Sequence, residues 1–260
     1  MKEIVSCDNA LIKSYSALRD RKTREKERLF IFEGHKLYTE AKENGISPVS
    51  VLFTRSALER YPFLEGEERG IIVSDRVYTK LTEERSPEGV ATVCAYLPSH
   101  TEYKRPEGKT LLFLCGIRDP GNVGTILRAA KAFGFPDVVM TSDCADVYSH
   151  KTVRASMGAV FTSKSYRADD ITKAIEDYRR ASYKVYATVL SDRAEPLNGL
   201  SAESAVFVLG NEGHGLDKSV RDACSGDVII PMEAGTESLN VSSAASVILW
   251  EAYRRRIAKE

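Results

Sequence analysis

Short apolar runs alternate with helical patterns along most of the chain, and this alternation predicts an α/β protein. In the C-terminal part, the predicted strands cover residues 110–114, 137–140, 183–190, 205–209 and 228–230. The helical patterns that alternate with them cover residues 123–133, 150–157, 170–181, 217–223 and 241–258. Short apolar strands separated by helices predict a mainly parallel sheet with helices on both faces.

The first hundred residues predict a second, smaller α/β unit. Its predicted strands lie near Phe30 and at residues 49–53, 71–73 and 90–96. Its predicted helices cover residues 9–20, 34–43, 56–61 and 75–81. A polar segment with two prolines and several charges then precedes the strand at residue 110. We therefore predict a domain over residues 1–98, a linker over residues 99–109 and a second domain over residues 110–260.

The composition is that of an ordinary globular protein, with 43% hydrophobic and 28% charged residues among 260. The formal net charge is zero, so a nucleic-acid partner would have to bind a local basic surface. The cysteines form no CxxC pair and the histidines have no ligand spacing, which predicts no metal site. Because no run approaches the roughly 20 apolar residues that span a bilayer, we expect a soluble, cytoplasmic protein with reduced thiols.

Three polar or glycine-containing loops each follow a predicted strand of the C-terminal part. They read DPGNVG at residues 119–124, GNEGHGLD at 210–217 and PMEAGTESLN at 231–240. In an open α/β sheet, ligands bind outside the carboxyl ends of the strands, so these loops predict one binding cleft. Taken singly, each has a simpler explanation: Asn122 and Asn240 are good helix caps, Arg128 suits a solvated helix face, and Glu212 suits an exposed loop.

The three loops, in this order and spacing, resemble the signature motifs of the SpoU (TrmH-like) RNA ribose 2'-O-methyltransferases of the SPOUT superfamily. The resemblance is carried by DPGNVGTILRAA, LGNEGHGL and IPM followed by SLNVSSAA, with KTVRASMGAVF at residues 151–161 between the first two. FIFEGHKLYTEA at residues 30–41 and SPEGVATV at 86–93 resemble the ribosomal-protein-L30e-like substrate-binding domain of such enzymes. The resemblance therefore covers essentially the whole chain.

The resemblance implies a C-terminal fold with a deep trefoil knot and a homodimer joined through that domain. Physical reasoning alone would not predict the knot, because true knots are nearly absent from proteins. The resemblance also implies S-adenosylmethionine as the cofactor, held largely through backbone groups. The implied cofactor-binding residues are Leu209, Gly210, Ile230, Met232 and Leu239.

The catalytic residues implied by the resemblance are Asn122, Arg128, Glu212, Ser238 and Asn240. Family proposals make the arginine the group that activates the ribose hydroxyl, but a guanidinium with a pKa above about 12 is a poor proton acceptor. We therefore expect Arg128 to bind the RNA phosphate beside the target ribose and to stabilise alkoxide character. That phosphate, a water molecule or Glu212 would then take the proton. The arginine of the partner subunit is an alternative to the arginine of the same chain.

A basic segment at residues 19–28, RDRKTREKER, places six basic residues among three acidic ones. It is either a surface that binds RNA or a solvated helix face with ordinary ion pairs. The residues that we expect to contact RNA are Arg21, Lys22, Arg24, Arg118 and Arg154.

The leading functional hypothesis is an S-adenosylmethionine-dependent RNA ribose 2'-O-methyltransferase that acts on structured RNA, more in keeping with rRNA than with tRNA. The alternative is a non-catalytic RNA-binding protein that retains the same architecture. A Rossmann-type oxidoreductase is disfavoured, because GNVG at residues 121–124 is not a GxGxxG motif. The target nucleotide cannot be read from these motifs.

Overall fold

The computed structural model describes residues 1–106, 110–191, 193–200, 205–233, 235 and 238–258, with the backbone only for residues 110 and 111. The chain forms two compact units. The first contains Met1–Leu97 and Asp146–Phe161, and the second contains Pro98–Ala145 and Thr162–Glu260. Part of the predicted linker, residues 107–109, lies outside the described residues.

The first unit contains a mixed sheet with the strand order β1-β4-β3-β5-β2. Its described strands are β1 (Lys2–Ile4), β2 (Leu29–Glu33), β3 (Ser50–Phe53), β4 (Gly70–Val73) and β5 (Val90–Ala95). Its helices in the first hundred residues are α1 (Ala10–Ala17), α2 (Arg21–Glu27), α3 (His35–Glu43), α4 (Arg55–Arg60) and α5 (Asp75–Leu81), with a 3-10 helix at Pro62–Gly66. The predicted small α/β unit is therefore confirmed, with β1 as an additional strand that the sequence pattern did not predict.

The helix predicted over residues 9–20 is present but ends earlier than predicted, and a second helix that the sequence pattern did not predict follows it. α1 ends at Ala17, and the carboxylate of Asp20 then accepts a hydrogen bond from the backbone N–H of Thr23 at 2.8 Å. This cap satisfies one of the free amides at a helix start, so α2 begins at Arg21. The basic segment is therefore mostly helical.

The second unit contains a sheet of eight described strands, all paired in parallel, with the order β11-β13-β10-β12-β7-β8-β9-β6. The strands are β6 (His100–Glu102), β7 (Thr110–Leu114), β8 (Asp137–Thr141), β9 (Lys164–Ala168), β10 (Lys184–Thr188), β11 (Glu195–Pro196), β12 (Ala205–Leu209) and β13 (Gly226–Ile229). The later helices are α6 (Pro120–Ala132), α7 (His150–Ala155), α8 (Ile171–Arg180), α9 (Lys218–Ala223) and α10 (Val241–Ile257), of which α7 belongs to the first unit.

The predicted parallel sheet of the C-terminal part is thus confirmed. One detail of the predicted linker is wrong, because β6 lies within residues 99–109 and pairs with β9. The trefoil knot stays a prediction, since residues 201–204, 234, 236 and 237 lie outside the described part of the chain.

Residues 146–161 follow β8 and precede β9 in sequence, yet they pack in the first unit. Aromatic rings join this segment to β2: Tyr148 lies 4.7 Å from Phe30 and Phe161 lies 5.2 Å from Phe32, between ring centroids. All four side chains are buried in one apolar cluster. The first unit therefore differs from the predicted first domain, because its core includes a segment that the sequence pattern placed in the second.

Ion pairs also hold this segment in the first unit. The guanidinium of Arg24 bonds Asp146 at 2.6 Å and donates to the backbone carbonyls of Leu18 and Arg19. The side chain of Arg24 is only 6% exposed. The prediction that Arg24 contacts RNA is therefore wrong, because its charge is buried and already neutralised by a carboxylate.

A second pair joins His150 Nε2 to Glu33 Oε1 at 3.1 Å, with Glu83 and Glu84 within 4 Å of the same imidazole ring. Burial opposes the charge on His150, but the hydrogen bond and the charge of Glu33 outweigh it, so the pKa of His150 is raised. Burial likewise opposes the charge on Glu33, and hydrogen bonds from His150 and Thr82 outweigh it and lower the pKa of Glu33. The pair is therefore most stable when both partners are charged.

Candidate functional site

The three special loops follow β7, β12 and β13, and they leave the same edge of the parallel sheet. β12 pairs directly with β7, and β10 lies between β12 and β13. Because all these strands run in parallel, their carboxyl ends meet at one edge. The segment that follows β10 also ends there, which the sequence pattern alone did not indicate.

The first loop ends in a helix cap that Asp119 provides, so the side chain of Asn122 can make a contact outside the helix. The carboxylate of Asp119 accepts a hydrogen bond from the backbone N–H of Asn122 at 2.8 Å, and Pro120 occupies the first helical position. Asn122 is therefore not the cap of α6, which was its simpler explanation. Its amide instead donates to Glu212 Oε1 of the second loop at 2.8 Å.

The second loop is a tight turn closed by two backbone hydrogen bonds between Asn211 and Gly215, at 3.0 and 2.9 Å. A side chain at Gly210 would place its Cβ only 2.4 Å from the carbonyl carbon of Gly215, so glycine is required there. The Asn211 amide donates to the carbonyl of Gly116 at 2.7 Å and so ties this loop to the first. This closure presents Glu212 towards Asn122.

The third loop ends at Asn240, which caps the 17-residue helix α10. Its Oδ1 accepts hydrogen bonds from the backbone N–H groups of Ser242 at 2.9 Å and Ser243 at 3.4 Å. Its Nδ2 donates to Asn122 Oδ1 at 3.1 Å. The simpler explanation of Asn240 as a cap is therefore correct, and the same side chain also joins the third loop to the first.

Two of these hydrogen bonds join three side chains in a polar chain, which we define as Asn240–Asn122–Glu212. The helix amides occupy the oxygen of Asn240, so its NH₂ faces Asn122. The oxygen of Asn122 accepts that bond, so its own NH₂ faces Glu212. Every donor in the chain thus points towards the carboxylate.

A cavity of about 640 Å³ adjoins this polar chain. Its size lies within the range of roughly 300–1,000 Å³ typical of small-molecule sites. All the residues predicted to bind the cofactor line it: Leu209, Gly210, Ile230, Met232 and Leu239. Ser238, Asn240 and Glu212 line it as well.

Several other lining residues were missed by the sequence analysis. Thr188 is the last residue of β10, and Val189 and Leu190 follow it. His214 lies in the second loop and Arg221 in α9 after it. The Oγ1 of Thr188 is buried and has no hydrogen-bond partner within the described part of the chain. The signal that identifies the β10 segment is the strand order, because β10 separates β12 from β13.

Arg128 is not among the lining residues of this cavity. It lies on α6, six residues after Asn122, and is exposed. Arg118, in the first loop, is exposed too. Neither guanidinium has a hydrogen bond or ion pair with another described residue. Both charges are therefore available to an external anion.

The remaining residues predicted to contact RNA lie in the first unit. Lys22 is exposed, and Arg21 is half-exposed and bonds Glu25 at 2.9 Å one turn along α2. Arg154 is 66% exposed and donates to Glu84 at 2.7 Å. These cations remain accessible, unlike the buried Arg24.

The described cysteines are free thiols, as expected for reduced side chains. Burial raises the pKa of Cys94 and of Cys224 to about 12, so both stay protonated near neutral pH. Within the described ranges, no group of three or more His, Cys, Asp or Glu side chains is arranged to hold a metal ion. No helix in the same ranges is long and apolar enough to cross a bilayer.

Comparisons with known proteins match both parts of the chain. The model of the SpoU rRNA methylase family matches residues 109–250. The model of the MRM3-like substrate binding domain matches residues 9–92. The chain is 30% identical to the 23S rRNA (guanosine(2553)-2'-O)-methyltransferase RlmP of Bacillus subtilis, over 96% of this chain and 98% of that protein.

Solved structures agree with this relationship over the whole length. An AdoMet-bound rRNA methyltransferase from Sinorhizobium meliloti has a TM-score of 0.82 at 28% identity, covering 98% of each chain. The SpoU methyltransferase AviRb from Streptomyces viridochromogenes, in complex with AdoMet, also has a TM-score of 0.82, at 26% identity. That match covers 96% of this chain and 99% of AviRb.

Proposed function

The chain belongs to the SpoU rRNA methylase family, and we propose on this basis that it methylates the 2'-oxygen of a ribose in ribosomal RNA with S-adenosylmethionine. The observation that carries this proposal is the polar chain Asn240–Asn122–Glu212 at the edge of the 640 Å³ cavity. It places a carboxylate that accepts one amide, itself oriented by a second amide, beside a pocket with apolar walls. Methyl transfer to a hydroxyl needs both a cofactor pocket and a group that takes the proton.

The cavity fits the cofactor in size and in chemistry. Leu209, Ile230, Met232 and Leu239 supply apolar surface for an adenosine group, and Gly210 leaves the backbone uncovered by a side chain. The unpaired hydroxyl of Thr188 lies in a residue that lines the same cavity. When bound there, S-adenosylmethionine supplies an activated methyl group on a sulfonium sulfur.

Glu212 is the residue that we assign to receive the ribose proton. Its Oε1 accepts the Asn122 amide, and its Oε2 has no hydrogen-bond partner among the residues that the structure describes. The polar chain fixes the direction in which the carboxylate points, because both amides have only one orientation that satisfies their contacts. Glu212 is therefore better placed than a loose solvent molecule to hold a proton at a defined atom.

Arg128 is assigned to the RNA phosphate beside the target ribose. Its guanidinium is exposed, lies outside the cavity lining and has no carboxylate partner within the described residues. A guanidinium can bind a phosphate with two parallel hydrogen bonds and stabilise negative charge on a nearby oxygen. In this assignment Arg128 stabilises the negative charge on the oxygen, and Glu212 receives the proton of the ribose hydroxyl. Ser238, in the third loop, supports the wall of the pocket.

The residues assigned to RNA contact in this proposal are Arg21, Lys22 and Arg154, in the first unit, and Arg118, in the second unit. We assign the reaction to the cytoplasm, where ribosomal RNA is available as substrate. The second unit would join two copies of the chain through α10, where Val247, Trp250 and Ile257 expose 38%, 47% and 44% of their surface. Light scattering at micromolar concentration tests this, and a monomer would contradict it.

The decisive experiment maps 2'-O-methyl groups by mass spectrometry in total RNA from cells with and without the protein. We expect one rRNA site to be lost and to return with the wild-type protein but not with Glu212→Gln, whose amide cannot take the proton. Loss of no site would favour the alternative, a non-catalytic RNA-binding protein. Purified protein, S-adenosylmethionine and an rRNA transcript should reproduce the same site in vitro.

A further inference from the structure

The first unit contains a cavity of about 570 Å³ that the proposed chemistry does not use. Three sequence motifs meet there: Gly34, His35 and Lys36 come from the motif at residues 30–41, Glu88 from the motif at 86–93, and Met157 from the motif at 151–161. These segments are far apart in sequence, so the fold brings them together at one place. The cavity is large enough for a nucleoside.

A row of aromatic rings begins at this cavity and ends in solvent. The ring of His35, which lines the cavity, stacks on Tyr61 with centroids 4.2 Å apart and an angle of 20°. Tyr61 lies 6.0 Å from Phe63, and Phe63 stacks on Tyr38 at 6.1 Å and 17°. Phe63 is 53% exposed, so its ring is accessible to a ligand from solvent.

Hydrogen bonds hold two rings of the row, those of His35 and Tyr38. Glu88 Oε2 lies 2.7 Å from the Nδ1 of His35 and accepts the backbone N–H of the same residue at 3.1 Å. The hydroxyl of Tyr38 donates to Glu67 at 2.6 Å. Fixed rings lose little conformational freedom when a ligand stacks on them, so binding to this surface has a low entropic cost.

We propose that Phe63, Tyr61 and His35 form a stacking platform for an unpaired base of the RNA substrate, with Lys36 receiving an adjacent phosphate. The proposal rests on the proposed function only in that RNA is the substrate. Proteins recognise unpaired RNA bases by stacking them on aromatic side chains, and every base has a face that can stack. An exposed phenylalanine above a fixed tyrosine provides such a face.

The cavity at the His35 end of the platform favours the polar edge of a base over a phosphate. Glu40, Glu43, Glu84 and Glu88 line its wall together with the two cations Lys36 and Arg154, so carboxylates outnumber cations there and disfavour a phosphate. Their carboxylates can instead accept hydrogen bonds from the amino and imino groups of a base. Lys36 is exposed and has no ion pair with another described residue, so the sugar-phosphate backbone would lie on its side.

The test measures fluorescence anisotropy of the full-length protein with a labelled ten-nucleotide single-stranded RNA and with a duplex of the same sequence. Phe63→Ala should weaken binding of the single strand about tenfold and leave the duplex unchanged, because only unpaired bases can stack. Phe63→Tyr should stay within about twofold of the wild type, whereas Phe63→Leu should lose as much as alanine because it lacks an aromatic face. Val5→Ala, at another exposed apolar residue of the same unit, is the matched control and should change nothing.

Three outcomes would overturn the platform: unchanged binding by Phe63→Ala, wild-type binding by Phe63→Leu, or an equal loss for single strand and duplex. Wild-type binding by the leucine variant would indicate a generic apolar surface of the kind that binds proteins. Matching thermal unfolding curves show that each variant is folded. If one of these three outcomes is found, the mapped 2'-O-methyl site should still be present. Failure of the platform is therefore distinguishable from failure of the methylation proposal.

Discussion

Asn240 has two separable roles, and single substitutions at this position can test each of them. Its oxygen caps α10, and its NH₂ holds Asn122 in the orientation that contacts Glu212. Serine keeps a capping oxygen but is too short to reach Asn122. Alanine removes both functions, whereas aspartate keeps the cap and cannot donate.

The magnitudes follow from these contacts. Loss of the cap in Asn240→Ala should cost about 1 kcal/mol, which lowers the melting temperature by roughly 2–4 °C for a unit of this size. Loss of the hydrogen bond to Asn122 is worth about 1 kcal/mol, which corresponds to roughly a fivefold loss of turnover. We therefore expect Asn240→Ser and Asn240→Asp to lose turnover and to melt closer to the wild type than Asn240→Ala, because they lose the hydrogen bond to Asn122 but keep the cap. Asn240→Ala should lose both.

Calorimetry measures the melting temperatures, and transfer of a radiolabelled methyl group to an rRNA transcript measures turnover at saturating cofactor. Asn240→Ser with wild-type turnover would refute the orienting role of the polar chain. Asn240→Ala with a wild-type melting temperature would refute the capping role. If serine and alanine lowered turnover only in proportion to stability, Asn240 would act on folding alone.

Three further changes test other parts of the structure. Arg128→Lys should weaken RNA binding and turnover because lysine lacks the planar fork that binds a phosphate, so near-normal kinetics and RNA affinity would reject that role. His150→Gln should destabilise most between about pH 4.5 and 6.5, where His150 and Glu33 are both charged. Its effect should fade above pH 6.5, as His150 loses its proton, and below 4.5, as Glu33 gains one; urea unfolding with the same loss at every pH would contradict this. Arg24→Ala should cost about 3–5 kcal/mol in urea unfolding by leaving a buried carboxylate unpaired, whereas Arg21→Ala, at a half-exposed pair, should cost less than about 1 kcal/mol.

The sequence predicted the strands that form clear apolar runs. β12 is apolar throughout and β7 is apolar after Thr110, as expected for a parallel sheet that helices cover on both faces. The partly exposed strand β9 was not predicted. β1, β6 and β11 have only two or three residues, and their pattern carries too little information to be distinguished from loops. Their pairing depends on neighbours distant in sequence, such as β9 for β6.

The sequence could predict the site where local pattern and strand polarity were sufficient. Glycines and polar residues after apolar strands indicated the loops that carry Asn122, Glu212 and Asn240, and the structure brings these three together. The burial of Arg24 could not be predicted in this way, because its partner Asp146 is 122 residues away. A basic segment in the sequence predicts exposed side chains, and only the fold shows that Arg24 pairs with a distant carboxylate.

The direction of the polar chain links the fold of the second unit to its chemistry. Asn240 is the N-cap of α10, and the first amides of a helix carry partial positive charge. The oxygen of Asn240 accepts from these amides, and its NH₂ donates to Asn122, which in turn donates to Glu212. The start of α10 therefore also orients the carboxylate at the edge of the cavity. The side chain of Asn240 both caps α10 and orients Asn122. Its capping role therefore supports the role that we propose for it in the reaction.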